Sequence, residues 1–547
     1  MNRRDALKLG AAGVASLYIR PALGEVDSLK IDIAKGPFKP TWESLSQYQT
    51  PAWFHDAKFG IWAHWGPQCE PEAGDWYARG MYQEGSHYYK YHVEKYGHPS
   101  KFGFKDVINV WKADKWDPDR LVQLYKDAGA RYFMAMANHH DNLDLYDSRY
   151  QPHWNSTKVG PKKDIIGGWE KASRKAGLPF AVSVHSAHAW SWFEPSQFSD
   201  TTGPLAGVPY DGKLTKTDGE GTWWEGLDPQ ELYAQNHPLS ENSHDSATIH
   251  KQWNWGNGVT IPSSAYIDKF YNRTIDLVDK YNPDMVYFDD TALPLWPISD
   301  AGLRIAAHVY NKSLERNDKV QAVVTGKILD AFQRQCLVWD IEKGHSNNIE
   351  PFPWQTGTCI GGWHYDRNLY LNKKYKSAEA VIHSLVDVVS KNGNLMLNIP
   401  VRGDGSIDEL EEQIVSEIGV WMGLNGESIY GTRPWKIFGE GPQQESAAEL
   451  QAQGFNEGKG KPYSSEDIRF AIKGNKLYAT VMAWPDSGKA VIKSLRTGSA
   501  YHPGKISRVK LVSTGTSLEF ERTQRGLEVQ FPQEKPQAAY ANALEIV

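Results

Sequence analysis

The sequence predicts an α/β protein, a (β/α)8-like barrel followed by a C-terminal antiparallel β-sandwich. Three observations lead there. Between residue 55 and about residue 425, short apolar runs alternate with amphipathic helical stretches, as in parallel strands joined by helical crossovers. That span of about 370 residues accommodates eight strand–helix units with insertions. Beyond residue 436 the pattern changes to short alternating strands separated by tight turns, the signature of a small sandwich. A doubly wound sheet is the rival, but no Gly-rich dinucleotide loop follows the first strand.

In chain order, residues 1–24 read as an export signal. Arg3-Arg4 precedes a modest apolar run from Leu9 to Ile19, and small residues follow around Ala22-Leu23-Gly24. The paired arginines suggest a bacterial twin-arginine-type signal, hence a periplasmic or secreted protein with no membrane association once the signal is removed. Expected barrel strands are Phe59–Ala63, Arg131–Met136, Phe180–Val184, Asp284–Phe288, Val320–Val324, Leu337–Trp339 and Gly393–Asn398. Among the helices between them, the clearest starts at Asp117-Pro118, an acidic cap with proline in the first turn, and places Leu121, Leu124 and Tyr125 on one face. Ser263–Lys280 and Ser377–Val389 are similar. The catalytic barrel is expected over residues 25–435. The sandwich, over 436–547, has candidate strands at Ile468–Ile472, Leu477–Met482, Arg508–Val512 and Leu527–Phe531.

Composition narrows the function. Lys plus Arg is 60 and Asp plus Glu 66, a net charge of −6, which excludes the basic excess of a nucleic-acid or anionic-membrane surface. Three cysteines, Cys69, Cys336 and Cys359, cannot build a disulfide framework and match no zinc spacing. The 22 Trp, 27 Tyr and 18 Phe offer flat faces on which the C–H faces of sugar rings pack, so carbohydrate is the first substrate class to consider.

Chemistry concentrates where strands end, as barrel active sites do. The first strand runs into His64-Trp65, the second into Asn138-His139-His140-Asp141, the third into His185-Ser186-Ala187-His188, the fourth into Asp289-Asp290, and a later one into Asp340-Ile341-Glu342. Imidazoles and carboxylates at five exits point to a shared polar pocket, because isolated buried polar groups lack partners. A metal site is not expected: there is no HExxH, and strand alternation would send His139 and His140 to opposite sides. Paired carboxylates with imidazole donors and aromatic platforms fit glycoside hydrolysis, which uses one carboxylate below the anomeric carbon and one acid beside the leaving oxygen.

Several motifs then align in order. They are KFGIWAHWG (Lys58–Gly66), Trp116-Asp117-Pro118, KDAGARY (Lys126–Tyr132), Asn138-His139-His140-Asp141, Trp154-Asn155-Ser156, Gly160–Asp164, YNPDMVYFD (Tyr281–Asp289), NGNLMLNI (Asn392–Ile399), Asp404-Gly405 and NGESIYGTRPW (Asn425–Trp435). In this order and spacing, over about residues 40–440, the chain resembles the α-L-fucosidases of glycoside hydrolase family 29. The resemblance implies a barrel-like catalytic domain, a C-terminal sandwich, no cofactor and retention of configuration. It makes Asp289 the nucleophile and gives hydroxyl contacts to His64, His139, His140 and His185. Asp75-Trp76 matches a family Glu-Trp pair, placing Asp75 near a hydroxyl and Trp76 near the ring. Apolar walls for the fucose methyl are expected from Trp65, Tyr287 and Trp363, the last lying where the family has Ser-Trp-Gly-Tyr.

The acid/base is the open position. Many relatives carry Trp-Glu before that motif, whereas this chain has Trp354-Gln355, and Gln cannot deliver a proton. Glu342 is the preferred substitute, then Glu350, then Asp340. Asp290 reads as a cap for the next segment. The resulting expectation is an exported retaining exo-α-L-fucosidase acting on a fucosylated glycan or polysaccharide. The alternative, resting on Gln355, is a non-catalytic or altered-specificity carbohydrate-binding relative of the same fold. Linkage preference is left to loops such as Gly203–Asn242, and oligomeric state is left open.

Overall fold

The computed structural model describes residues 31–243, 255–451 and 454–547; the expected signal at residues 1–24 lies outside them. Eight parallel strands close a barrel in sequence order. They are β1 (Phe59–Ala63), β2 (Phe133–Asn138), β3 (Phe180–Val184), β4 (Met285–Phe288), β5 (Val323–Gly326), β6 (Val338–Glu342), β7 (Trp354–Cys359) and β8 (Gly393–Asn398), with β8 pairing back onto β1. The strands are buried almost throughout, as expected for a parallel sheet covered on one face by helices and filled on the other by its own side chains.

The crossover helices start where the sequence provides caps. The side chains of Asp117, Asp164, Ser263, Ser377 and Asp408 each accept a backbone N–H from the first turn of the helices Pro118–Asp127, Ile165–Lys175, Ser264–Tyr281, Ala378–Ser390 and Glu409–Asn425. The first of these buries Leu121, Val122 and Tyr125 against the barrel. A sixth helix, Ala301–Asn317, lies between β4 and β5.

Two features differ from the sequence expectation. The strand β7 was not expected, because WQTGTC carries no apolar alternation. Its polar side chains are satisfied within the protein instead: Gln355 donates to Asp340 (3.0 Å) and accepts from Tyr132 (2.9 Å), and the Thr356 hydroxyl donates to the carbonyls of Ile341 and Gly344. Second, β6 extends through Asp340 and Glu342 rather than ending before them. The two carboxylates are therefore i,i+2 neighbours on one face of a strand. The crossovers on either side of β6 hold no α-helix, only the turn Gln333–Gln335 and the loop 343–353.

The C-terminal region forms a five-stranded antiparallel sheet, in the order Val509–Leu511, Asn542–Ile546, Lys476–Val481, Ile468–Lys473 and Arg433–Glu440, and a three-stranded one, in the order Lys489–Ile492, Leu527–Gln530 and Phe520–Arg522. In chain order they are β9 Arg433–Glu440, β10 Ile468–Lys473, β11 Lys476–Val481, β12 Lys489–Ile492, β13 Val509–Leu511, β14 Phe520–Arg522, β15 Leu527–Gln530 and β16 Asn542–Ile546. Both sheets share one apolar core that includes Phe470, Val481, Leu527, Val529 and Leu544. The strand β9 crosses the expected boundary between residues 435 and 436.

One buried ion pair fixes the loop after β2. Arg273, on the helix Ser264–Tyr281, meets Asp144 through two hydrogen bonds (2.7 and 2.9 Å) and donates to Asn142 Oδ1 (2.6 Å). Both members are buried, so removing one leaves an uncompensated charge. Asp144→Ala is expected to lower unfolding free energy by about 3–5 kcal/mol. Urea denaturation measures it, and a loss below about 1 kcal/mol would show that the pair does not anchor this loop.

Candidate active site at the carboxyl ends of the barrel strands

A cavity of about 540 Å³ opens at the carboxyl ends of the strands. His64, Asp75, Trp76, His139, His140, His185, Tyr287, Asp289, Glu342 and Trp363, ten of the residues singled out from the sequence, all line it. Strand periodicity explains part of this convergence. Trp62 and His64, Tyr287 and Asp289, and Asp340 and Glu342 are i,i+2 pairs, so each polar group at the mouth stands above a residue that fills the barrel beneath it.

The expectation that His139 and His140 point to opposite sides is overturned. They follow the last residue of β2, Asn138, in a turn where strand alternation no longer applies, and their rings lie 4.5 Å apart. Gln68 hydrogen-bonds His139 Nδ1 (2.7 Å), and His140 Nδ1 donates to the His185 carbonyl (2.8 Å). Trp65 is likewise not part of the apolar wall. It lies beyond β1, packs on Trp111 and Trp116, and donates its indole N–H to the Arg402 carbonyl. Trp62 takes its place, meeting Tyr287 at 4.9 Å and Trp363 at 5.4 Å.

At the centre, Lys327 Nζ donates to Asp289 Oδ1 (2.6 Å) and to Glu342 Oε2 (2.8 Å). The second Asp289 oxygen faces His185 Nδ1 (3.3 Å) and His140 Nε2 (3.4 Å). Burial alone would raise the Asp289 carboxyl, but the Lys327 ammonium and the hydrogen bonds of His140 and His185 override it and hold the group well below the ordinary carboxylate range. The other Glu342 oxygen accepts from Trp363 Nε1 (3.1 Å).

Burial keeps three of the surrounding imidazoles neutral. It lowers His64 and His139 well below the usual histidine value and His185 to about 4. His64 is buried among Trp62, His139, His185 and His364, yet neither ring nitrogen has a hydrogen-bond partner in the protein. A buried imidazole beside a cavity with both nitrogens unpartnered offers a donor and an acceptor to a ligand's hydroxyls. Asp75 is fixed by Nδ1 of the neighbouring His364 (2.7 Å).

The remaining acidic candidates lie elsewhere. Asp340 is buried beneath the cavity floor, accepts from Gln355, and is pushed by burial up to about 7. Glu350 is held by Arg334 (3.1 Å). Asp290 accepts from the backbone of Thr291 (2.7 Å) and faces His188 (3.1 Å), outside the cavity lining. Three donor triads close enough to hold a cation occur among the described residues: His64-His139-His185, Asp75-His139-His364 and His140-His185-Asp289. They share His139 and His185, and the Lys327 ammonium on Asp289 opposes a cation in the third.

Lys327, His364, Arg79, Lys343 and Phe455 also line the cavity or support it, and the sequence reading passed over them. Lys327 follows β5 directly, so the strand-exit rule would have found it had cations been sought beside imidazoles and acids.

Comparison with known proteins agrees with this geometry. The family model described as alpha-L-fucosidase matches residues 27–427, and the alpha-L-fucosidase C-terminal domain model matches residues 461–546. The rat tissue alpha-L-fucosidase is 25% identical over 533 residues, covering 95% of this chain and 92% of its own. The human plasma alpha-L-fucosidase is 26% identical over 512 residues, covering 91% of this chain and 89% of its own. Among solved structures, the Thermotoga maritima alpha-fucosidase superposes with a TM-score of 0.67 at 25% identity, covering 93% of this chain and all of its own. A second structure of that protein, in complex with fucose, gives 0.66.

The charge balance around Asp289 is open to direct measurement. In Lys327→Met the largest charge holding Asp289 ionised is gone and burial dominates. The carboxyl then binds its proton at higher pH than in the wild type. Carboxyl-carbon NMR titration is expected to show an upward shift of at least about one pH unit; an unmoved titration would mean that the two histidines suffice.

Proposed function

Because the chain belongs to the α-L-fucosidase family, glycoside hydrolase family 29, we propose that it is a retaining exo-α-L-fucosidase working by double displacement, with Asp289 as nucleophile and Glu342 as acid/base. The observation that carries this reading is the pair of contacts on Lys327. Laid end to end, 2.6 and 2.8 Å, they keep the two contacted oxygens, Asp289 Oδ1 and Glu342 Oε2, no farther apart than the separation of about 5–5.5 Å that retaining chemistry uses.

In the first step a carboxylate oxygen of Asp289 attacks the anomeric carbon while Glu342, protonated, gives its proton to the departing glycosidic oxygen. The product is a fucosyl ester on Asp289. Ester formation removes the Asp289 charge, and the Lys327 ammonium then faces Glu342 alone. Having given up its proton, Glu342 is the carboxylate that takes a proton from water. The water attacks the same carbon, and the second inversion restores the original configuration. The neutral histidines His64, His139 and His185 and the carboxylate of Asp75 bind hydroxyls, with His140 beside the nucleophile. Trp62, Tyr287 and Trp363 supply the apolar side for a 6-deoxy methyl group, and Trp76 stands at the ring. The fucose complex of the Thermotoga relative supports fucose as the sugar held. No cofactor takes part in these steps.

The substrate on this reading is a terminally fucosylated glycan or polysaccharide. Export to the periplasm or beyond follows from Arg3-Arg4 and the apolar run after them. No helix among the described residues is long and apolar enough to cross a membrane. The alternative, a non-catalytic binding relative, drew on Gln355; the hydrogen bonds of that side chain to Tyr132 and Asp340 give it a structural role instead.

Turnover of an aryl α-L-fucoside tests the assignment. Asp289→Gly should lose on the order of 10³-fold or more in kcat. Azide should partly restore turnover and yield the β-L-fucosyl azide. An active Asp289→Gly enzyme would remove the nucleophile assignment. Glu342→Ala should lose about 10²–10⁴-fold on substrates with poor leaving groups and far less on activated aryl fucosides. Equal losses on both would point to a different acid.

A further inference from the structure

The wall of the cavity beside Glu342 does not come from the barrel alone. Residues 454–457, in the connection between β9 and β10, lie along the end of β6. Gly454 forms a parallel bridge with Glu342, the Phe455 N–H donates to the Glu342 carbonyl (2.8 Å), and the Glu457 N–H donates to the Lys343 carbonyl (3.0 Å). Asn456 brackets His345 with two hydrogen bonds (2.8 and 3.1 Å), and the Glu457 carboxylate accepts from Thr358 (2.7 Å) and Lys376 (2.5 Å). The approach is close enough to require glycine: a Cβ on Gly454 would sit 2.0 Å from the Glu342 carbonyl oxygen.

This clamp presents Phe455 to the cavity. The phenyl side chain lines it while remaining 39% exposed, and its backbone is held at φ 65°. A bulky residue in the left-handed region persists only when its surroundings over-determine it, and such residues concentrate at functional sites. An apolar ring left open to solvent at the mouth of a polar cavity is a platform for a flat, C–H-bearing face.

We propose that Phe455 forms the leaving-group subsite, stacking against the sugar that departs from fucose. The placement follows from the chemistry and rests on the fucosidase reading above. The acid must stand beside the glycosidic oxygen, so the departing sugar passes on the Glu342 side, where Phe455 is bonded to the backbone of Glu342.

The test compares two substrates: α-L-fucosyl fluoride, which has no leaving sugar, and an α-L-fucosyl-(1→2)-galactoside. Phe455→Ala is expected to reduce kcat/KM for the disaccharide at least tenfold relative to the fluoride, mainly through KM. Phe455→Trp should restore the ratio, and turnover of the fluoride reports that each variant is folded. An unchanged ratio in Phe455→Ala overturns the subsite, whether both activities fall together or neither moves. A wild-type protein that leaves the fluoride intact sinks the fucosidase reading itself, and the subsite with it.

Discussion

One ammonium group holds together two carboxylates that would repel each other without it. Lys327 is buried, and burial alone would strip its charge; the facing Asp289 and Glu342 reverse that and hold it protonated. Beside this triad stand three neutral rings, His64, His139 and His185, kept uncharged by burial. The site thus combines a concentrated charge cluster with a shell of uncharged donors and acceptors. Such a shell can exchange hydrogen bonds with a sugar without disturbing the ionisation of the reacting groups.

Most of the site is readable in the sequence because barrel geometry reduces a three-dimensional problem to a local one: polar residues one or two positions past a buried strand converge. That rule locates His64, His139, His140, His185 and Asp289, and motif order adds Asp75, Trp76 and Trp363. It fails where its assumptions fail. The strand β7 carries polar side chains on both faces, Gln355 bonded to Asp340 and Tyr132 and Thr356 to neighbouring carbonyls, so no apolar alternation marks it. Trp65 is past the strand end and joins the core with Trp111 and Trp116. His364 stands at the Gly of the resembled Ser-Trp-Gly-Tyr motif, so the resemblance held no signal for it. Phe455 arrives from more than a hundred residues beyond β6, and no local pattern reports a contact of that range.

The missing helices beside β6 and the C-terminal sheets belong to one arrangement. Where the crossovers on either side of β6 leave only a turn and a loop, the connection from β9 to β10 supplies main-chain partners. The junction is also tied electrostatically. Asp387, on the helix Ala378–Ser390, receives Lys391 (2.7 Å), Arg469 of β10 (2.6 Å) and His345 (3.1 Å). Burial would raise this carboxyl, but the two cations and His345 hold it well below its ordinary value. The sandwich thereby braces the strand that carries Glu342.

The bridge between Gly454 and Glu342 also bears on how such chains diversify. A recombination breakpoint placed at the visible seam, after the last barrel helix, would exchange the sheets and with them part of the cavity wall. Shuffling of the C-terminal module among relatives would then alter the cavity wall at Phe455 and leave every barrel residue unchanged. It is open only to donors that keep a residue without a side chain where the two backbones touch.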